Sequence, residues 1–185
     1  DSQDITVNIT NVNDVPPVIS SGATFSVAEN QIAIGSVSAS DVEGDDLTYA
    51  VSGSEISISS SGVLSFIAAP DYESKTSYSA TVTVNDGVNS TSQDITVNIT
   101  NVNDVAPVIS SSATFSAAEN QTSIGQVVAV DAEGDDLTYA VSGDEISISN
   151  SGVLAFKNAP DYESKSTYTE TVTAVSYTHL RAHET

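Results

Sequence analysis

The sequence predicts an all-β protein made of tandem seven-stranded Greek-key β-sandwich domains, and three observations carry that expectation. The first is an internal repeat: SQDITVNITNVNDV at Ser2 to Val15 returns unchanged as Ser92 to Val105, and GDDLTYAVSG at Gly44 to Gly53 returns as Gly134 to Gly143, at an offset of 90 residues. Aligned from Asp1 to Val84 against Thr91 to Ala174, about three-quarters of positions agree, as in duplicated modules. A unit of this length is too long for one solenoid turn and suits a small domain with its own core. The second is period-two alternation of Val, Ile, Ala, Tyr and Leu with Ser and Thr, which makes half-buried strands. The third is the punctuation of these runs by Gly, Asn and Asp, which form turns.

The elements follow in order. Ala23 to Ala28, Ile34 to Ala39, Leu47 to Ser52, Ile56 to Ser59 and Val63 to Ile67 are short β-rich runs, separated by turns such as Glu43-Gly44-Asp45 and Ser61-Gly62. A single helical turn is expected around Asp71 to Lys75. Tyr78, Ala80, Val82 and Val84 then alternate with Ser79, Thr81 and Thr83, and NDGVNSTSQ supplies a Gly-containing hairpin loop. The last strand sets Ile95, Val97 and Ile99 on one face against Thr96, Asn98 and Thr100 on the other. Seven strands in about ninety residues is the sandwich count.

This register divides the chain unevenly. Residues 1–14 read as the last strand and linker of a preceding repeat, 15–104 as the complete domain, and 105–174 as a domain lacking its last strand. The missing strand is the element that Ile5 to Thr10 spells. The repeat breaks off at Val175, and VSYTHLRAHET, residues 175–185, resembles the translated read-through of a sequencing adapter and is set aside from the fold. That tail holds His179 and His183, the only histidines, and Arg181, the only arginine.

Composition narrows the function classes. The formal net charge is -21, from 25 Asp and Glu against 4 Lys and Arg, which argues against nucleic acid and anionic membranes and favours cations. Zero Cys removes thiol and disulfide chemistry and is compatible with an exported bacterial protein. Outside the tail only carboxylates could do catalytic work, and Asp71 and Glu73 are too close in sequence to flank a glycosidic bond unaided, so no enzyme is expected. Tyr49, Tyr72 and Tyr78 are the candidate aromatics for a carbohydrate face, but Tyr49 and Tyr78 fall on apolar strand faces and read as core.

The acidic residues are clustered: AEN at Ala28 to Asn30, DVEGDD at Asp41 to Asp46, PDYE at Pro70 to Glu73, NDG at Asn85 to Gly87 and NVND at Asn101 to Asp104. In a sandwich whose termini emerge at opposite ends, the first, third and fifth gather at one end and the second and fourth at the other. Such oxygen-rich sets without His or Cys suit Ca²⁺, which takes six to eight oxygens.

On these five motifs the chain resembles bacterial cadherin-like (CADG-type) repeats of large calcium-dependent adhesins, whose motifs run xEx, DxD, DxE, a DxG-like turn and a DxNDNxP linker in the same order. The resemblance implies an Ig/cadherin-like sandwich and calcium at the seams between repeats. By it, one seam would use Glu29, Asp71, Glu73, Asn101, Asn103 and Asp104 with Asp131, Glu133 and Asp136, and the other Asn11, Asn13 and Asp14 with Asp41, Glu43, Asp46 and Asp86. Departures are Asn101 at the linker's first position, Val105 at its closing Asn, and Glu133 in place of the second Asp of DxD. The implied function is calcium-stiffened adhesion, cadherin-type and homophilic or directed at a cell-surface protein or polysaccharide, outside the cell or at its surface. The alternative is a spacer or carbohydrate-binding accessory module of a larger secreted enzyme.

Overall fold

The computed structural model describes residues 1–177, and the chain falls into two compact units, Asp1–Val102 and the stretch from Asn103 onward. Among the described residues there is no helix, and so none long and apolar enough to cross a membrane.

The first unit holds β1 (Val18–Ile19), β2 (Thr24–Ala28), β3 (Ala33–Ser36), β4 (Ala39–Ser40), β5 (Thr48–Val51), β6 (Ile56–Ile58), β7 (Val63–Phe66), β8 (Ser77–Asn85) and β9 (Ser90–Thr100). One layer is the sheet β2-β9-β8-β5, in which β2 runs parallel to β9 and the other pairs are antiparallel. The second layer is β3-β7-β6 together with the pair β1-β4. Sequence alternation reads Ile34 to Ala39 as one strand, but a register shift between Ala33 and Gly35 and a break at Val37 and Ser38 divide it into β3 and β4. The break keeps its bonding: Val37 N–H donates to Gly62 O at 2.8 Å, and Ser38 O accepts Ser20 N–H at 2.9 Å.

The alternation of β8 and β9 places Ala80, Val82, Val84, Ile95, Val97 and Ile99 inward, against Val37, Ile56, Leu64 and Phe66 from the other layer. Phe66 and Tyr78 pack edge to face at 4.8 Å. Burying each such side chain stabilises by about 1.5–3 kcal/mol, which is what holds two small sheets together. Within the second layer, the turn before β7 runs close against the backbone that follows β3, and Gly62 makes this possible. Its φ is +82°, and a Cβ there would lie 2.3 Å from Val37 O. Gly62→Ala is therefore expected to cost at least about 1–2 kcal/mol from the left-handed backbone alone, read as a lower melting temperature; an unchanged value would contradict the packing.

The second unit repeats the plan in part, with β10 (Val108–Ile109), β11 (Ser123–Gln126), β12 (Ala129–Val130), β13 (Asp136–Val141), β14 (Ile146–Ile148), β15 (Val153–Phe156) and β16 (Val172–Tyr177). Its pairs are β10-β12, β11-β15-β14 and β13-β16. β13 against β16 keeps the first unit's register, Tyr139 opposite Ala174 as Tyr49 is opposite Val84. The structure also corrects the sequence reading at its end: β16 runs on through Val175, Ser176 and Tyr177, which were set aside with the tail, because the edge of β13 pairs with them back to Asp136.

Two stretches that are strand in the first unit are not strand in the second. Residues 114–118 correspond to β2 and 167–171 to the first half of β8, and both lack β structure. In the first unit β2 and residues 77–81 of β8 take their ladder bonds from β9, and the described part of the second unit has no counterpart of β9. The same dependence shows at Ile5 to Thr10. This segment is identical in sequence to Ile95 to Thr100, yet it forms no strand, and Ile5, Val7 and Ile9 are 81%, 74% and 89% exposed. Alternation creates a strand only where a partner edge accepts its N–H and C=O groups.

Candidate metal centre

The loop between β4 and β5 is built by Asp41. Its Oδ1 accepts the backbone N–H groups of Glu43 (2.9 Å), Gly44 (3.1 Å) and Asp45 (3.4 Å), while Gly44 at φ +84° lets the chain turn back on itself. This local bonding turns three carboxylates inward. Oxygens of Asp41, Glu43 and Asp45 lie within 4.8 Å of one another. Asp41 Oδ2, Glu43 Oε2 and Asp45 Oδ2 are buried and have no hydrogen-bond partner. Burial, then the charges of Asp41 and Asp14, push the Glu43 carboxyl above its usual range, against a smaller opposing effect of the Asp14 N–H.

The second unit repeats the device. Asp131 Oδ1 accepts Glu133 N–H (3.1 Å) and Asp135 N–H (3.2 Å), and oxygens of Asp131, Glu133 and Asp135 again lie within 4.8 Å. Asp131 Oδ2 and Glu133 Oε2 are buried without partners. Burial alone would raise the Asp131 carboxyl, but the Asp135 N–H, the Ser176 hydroxyl and Glu133 hold it below its usual range. The other oxygen of Glu133, Oε1, accepts the linker N–H groups of Asp104 (3.0 Å) and Val105 (2.7 Å).

These sets differ from the expected ones at one position each. Asp46 and Asp136 are the expected third carboxylates, whereas the oxygens that lie beside those of the other two residues belong to Asp45 and Asp135. The reason is the pleat: Leu47 and Leu137 turn inward, so Asp46 and Asp136 just before them turn outward and are exposed. The inward pointing of Leu47 was a legible signal for Asp45. Of the linker residues, Asn11 and Asp14 line a shallow cavity of about 440 Å³ with Glu43. Asn13 bridges to the hairpin: its Nδ2 donates to Asp86 O (3.2 Å) and its Oδ1 accepts Asn89 Nδ2 (3.0 Å). Asn103 Oδ1 correspondingly accepts the Ser176 hydroxyl at 3.3 Å.

Asp86 is buried, and its carboxylate serves its own turn: Oδ1 accepts Val88 N–H (2.8 Å) and Asn89 N–H (2.6 Å). Burial would raise this group, but those bonds and the Asn89 and Asn13 amides hold it below the usual range. It stands outside the triad of Asp41, Glu43 and Asp45.

The other acidic set of the first unit lies at the far end of β9. That strand is 11 residues long, which separates the two sets by roughly 30 Å. Glu29 is 2% exposed; its Oε2 accepts Tyr72 N–H (2.9 Å) and its Oε1 accepts Val102 N–H (2.7 Å). Glu29 and Glu73 bring oxygens within 4.8 Å of each other. Asp71 instead caps the turn that follows it, accepting the Ser74 hydroxyl (2.8 Å) and the N–H groups of Glu73 and Ser74, and its carboxyl is held low, first by that hydroxyl. Lys75 N–H donates to Asp71 O at 2.9 Å, the single helical turn expected there. Asn101 is exposed on the linker that follows β9. In the second unit oxygens of Glu119, Asp161 and Glu163 gather within 4.8 Å of one another, and all three residues are exposed. The sequence reading passed over this trio, although the 90-residue offset from Glu29, Asp71 and Glu73 marks it.

Two stacked sheets with β2 parallel to β9 and acidic loops at both ends of the strands define a cadherin-like, Ig-like repeat. The comparisons agree with that class. The family of bacterial Ig domains matches residues 13–100. Human protocadherin-24 EC1-2 superposes with a TM-score of 0.72 at 20% identity, covering 86% of this chain and 93% of that one. Mouse cadherin-23 EC22-24 gives 0.71 at 21% identity, covering 89% and 60%, and Drosophila N-cadherin EC1-4 gives 0.71 at 24% identity, covering 86% and 45%. Among curated proteins, chitinase A of Pseudoalteromonas piscicida is 33% identical over 130 residues, 68% of this chain. The chain spans only 16% of the chitinase's own length.

Proposed function

We propose that the chain is a calcium-binding, adhesion-type repeat array that acts outside the cell or at its surface by binding rather than catalysis. The observation that carries this reading is the set of buried carboxylate oxygens with no hydrogen-bond partner, on Asp41, Glu43 and Asp45 and again on Asp131 and Glu133. Leaving buried charge unpaired is costly, and a divalent cation is the partner that would resolve it. Two oxygens on opposite sides of a Ca²⁺ ion stand about 5 Å apart, so a 4.8 Å set fits one ion. Three carboxylates fall short of six to eight ligands. The remaining oxygens would come from linker residues, from water and from the Glu29 and Glu73 end of a neighbouring repeat, which would fix one repeat on the next and stiffen the array. Partners of the array, a cell-surface protein, a polysaccharide or a like repeat, would then be held at a distance.

With a Kd near 10⁻⁴ M, as for extracellular modules, millimolar calcium adds about 1.4 kcal/mol per independent site. Calorimetric titration of calcium into the chelator-stripped chain is expected to show saturable binding in that range, with magnesium much weaker; absence of binding up to several millimolar would end the calcium reading. A second reading is favoured by the likeness to chitinase A: a spacer or carbohydrate-binding accessory module of a larger secreted enzyme. Co-sedimentation with chitin that persists in chelator would favour it over the first.

A further inference from the structure

Asp86 and Gly87 form the only Asp-Gly step in the sequence, and Asn-Gly does not occur. In a flexible chain such a step is chemically weak, because no side chain on glycine shields its nitrogen from the aspartate carboxyl carbon. Here the step sits in the hairpin between β8 and β9, and both reacting groups are tied. The peptide group that joins the two residues is held at each end by an asparagine: Gly87 N–H donates to Asn85 Oδ1 at 2.7 Å, and Asp86 O accepts Asn13 Nδ2 at 3.2 Å. Asn85 is fixed in turn, its Nδ2 donating to Asn89 O (2.9 Å) and Ser90 Oγ (2.7 Å). Asn13 is fixed by Asn89 Nδ2, which donates to its Oδ1 at 3.0 Å. The Asp86 carboxylate is occupied past Gly87, its Oδ1 accepting Val88 N–H and Asn89 N–H. Asp86 is 6% exposed, and it stands outside the acidic set of its own end of the unit.

We propose that Asp86-Gly87 is a latent modification site, at which the main chain transfers onto the Asp86 side chain to give isoaspartate, and that Asn85 and Asn13 keep it closed by clamping the peptide group that must turn. The reaction needs only water. Gly87 N bonds to Asp86 Cγ, and the nitrogen's proton leaves with the carboxyl OH as one water, which closes a succinimide ring. One water then opens the ring. Addition at Cγ restores aspartate; addition at the Asp86 main-chain carbon breaks the original C–N bond and leaves the chain running through Cγ beside a free α-carboxylate. To start, Gly87 N–H must leave Asn85, the peptide plane must turn away from Asn13, and the carboxylate must leave Val88 and Asn89. A site held in this way reacts through local opening, and its rate follows the fraction of time the hairpin is open. Asn13 lies in the segment ahead of β1, so undocking of that segment is the event that exposes the site. The product adds one methylene to the hairpin main chain and replaces the carbonyl that Asn13 binds by a carboxylate. The segment therefore loses its original docking point, and undocking becomes permanent.

The test ages the full chain at neutral pH in chelator, folded and in urea, and then digests it with an endoprotease that cuts before aspartate but not before isoaspartate. Loss of the cut between Asn85 and Asp86 reads the reaction at this one site. The chain in urea is expected to lose that cut over a period in which folded wild type keeps it. Asn13→Ala and Asn85→Ala, checked as folded by circular dichroism, are expected to lose it several-fold faster than folded wild type, since each removes bonds that oppose opening. Asn98→Ala, on the exposed face of β9 away from the hairpin, is expected to age as wild type does. Amide exchange at Gly87 N–H of the wild-type chain provides a reading that depends on no variant, and strong protection is expected. Folded wild type that rearranges as fast as the chain in urea, an unprotected Gly87 N–H, or folded Asn13→Ala and Asn85→Ala chains that age no faster than wild type would each overturn the proposal.

Discussion

Glu43→Gln is expected to raise the melting temperature of the calcium-free chain and to lower it in millimolar calcium, relative to wild type under the same conditions. The sign reverses because the same carboxylate plays two parts. Without a cation, Glu43 is crowded by Asp41 and Asp14 and has a buried oxygen with no hydrogen-bond partner, so its charge opposes folding. With a cation it becomes a ligand, and its removal is expected to weaken binding by roughly tenfold or more. Thermal melts in chelator and in calcium, beside a calcium titration, read both halves. Equal shifts in the two conditions would show that Glu43 acts only on stability. Asp46→Asn serves as the control, since the pleat turns Asp46 outward, and it is expected to leave calcium affinity within about threefold of wild type.

Glu29→Ala is expected to cost about 3 kcal/mol or more of stability whether or not calcium is present. Glu29 accepts two backbone N–H groups from segments far apart in sequence, Tyr72 in the turn after β7 and Val102 after β9. Hydrogen bonds to a charged acceptor each contribute about 1.5–3 kcal/mol, and cutting both leaves buried donors unpaired. Glu29→Gln should recover part of the loss, since one amide oxygen remains, while its NH₂ group faces a donor it cannot satisfy. Denaturant unfolding in chelator measures this directly. A loss seen only in calcium would mean that Glu29 is a ligand and not a clamp.

Much of this molecule can be read from its sequence, because strand faces follow from alternation alone. β5 through β9 lie where Tyr49, Ile56, Leu64, Val82 and Ile95 place them, and the class of fold follows from their number and spacing. What alternation does not encode is context. β1 is two residues after a proline pair, too short to show a period. The division of β3 from β4 depends on how Gly62 approaches Val37 across the layer. The sharpest case is Ile5 to Thr10: the same letters are strand at Ile95 to Thr100 and no strand at the front of the chain, since pairing is a property of two segments. The acidic sets were legible as clusters, and Asp41, Glu43, Asp131 and Glu133 stand in them. The carboxylates gathered with them are Asp45 and Asp135, one residue before the motif positions Asp46 and Asp136, because a motif match ignores the pleat. Asp86 and Asp71, expected as ligands, have carboxylates that also bind their own turns, a second duty that residue type does not reveal.

The two oxygens of Glu133 face different tasks: one holds the N–H groups of Asp104 and Val105, and the other is the buried oxygen without a hydrogen-bond partner beside Asp131. A cation bound there would be coupled to the linker through one rigid carboxylate, and coupling between two sites is reciprocal. Whatever the ion contributes to holding the linker, a pull on the linker takes from the ion's affinity by the same factor. Mechanical load along such a chain would therefore release calcium, and local calcium concentration would set the force at which the chain begins to yield.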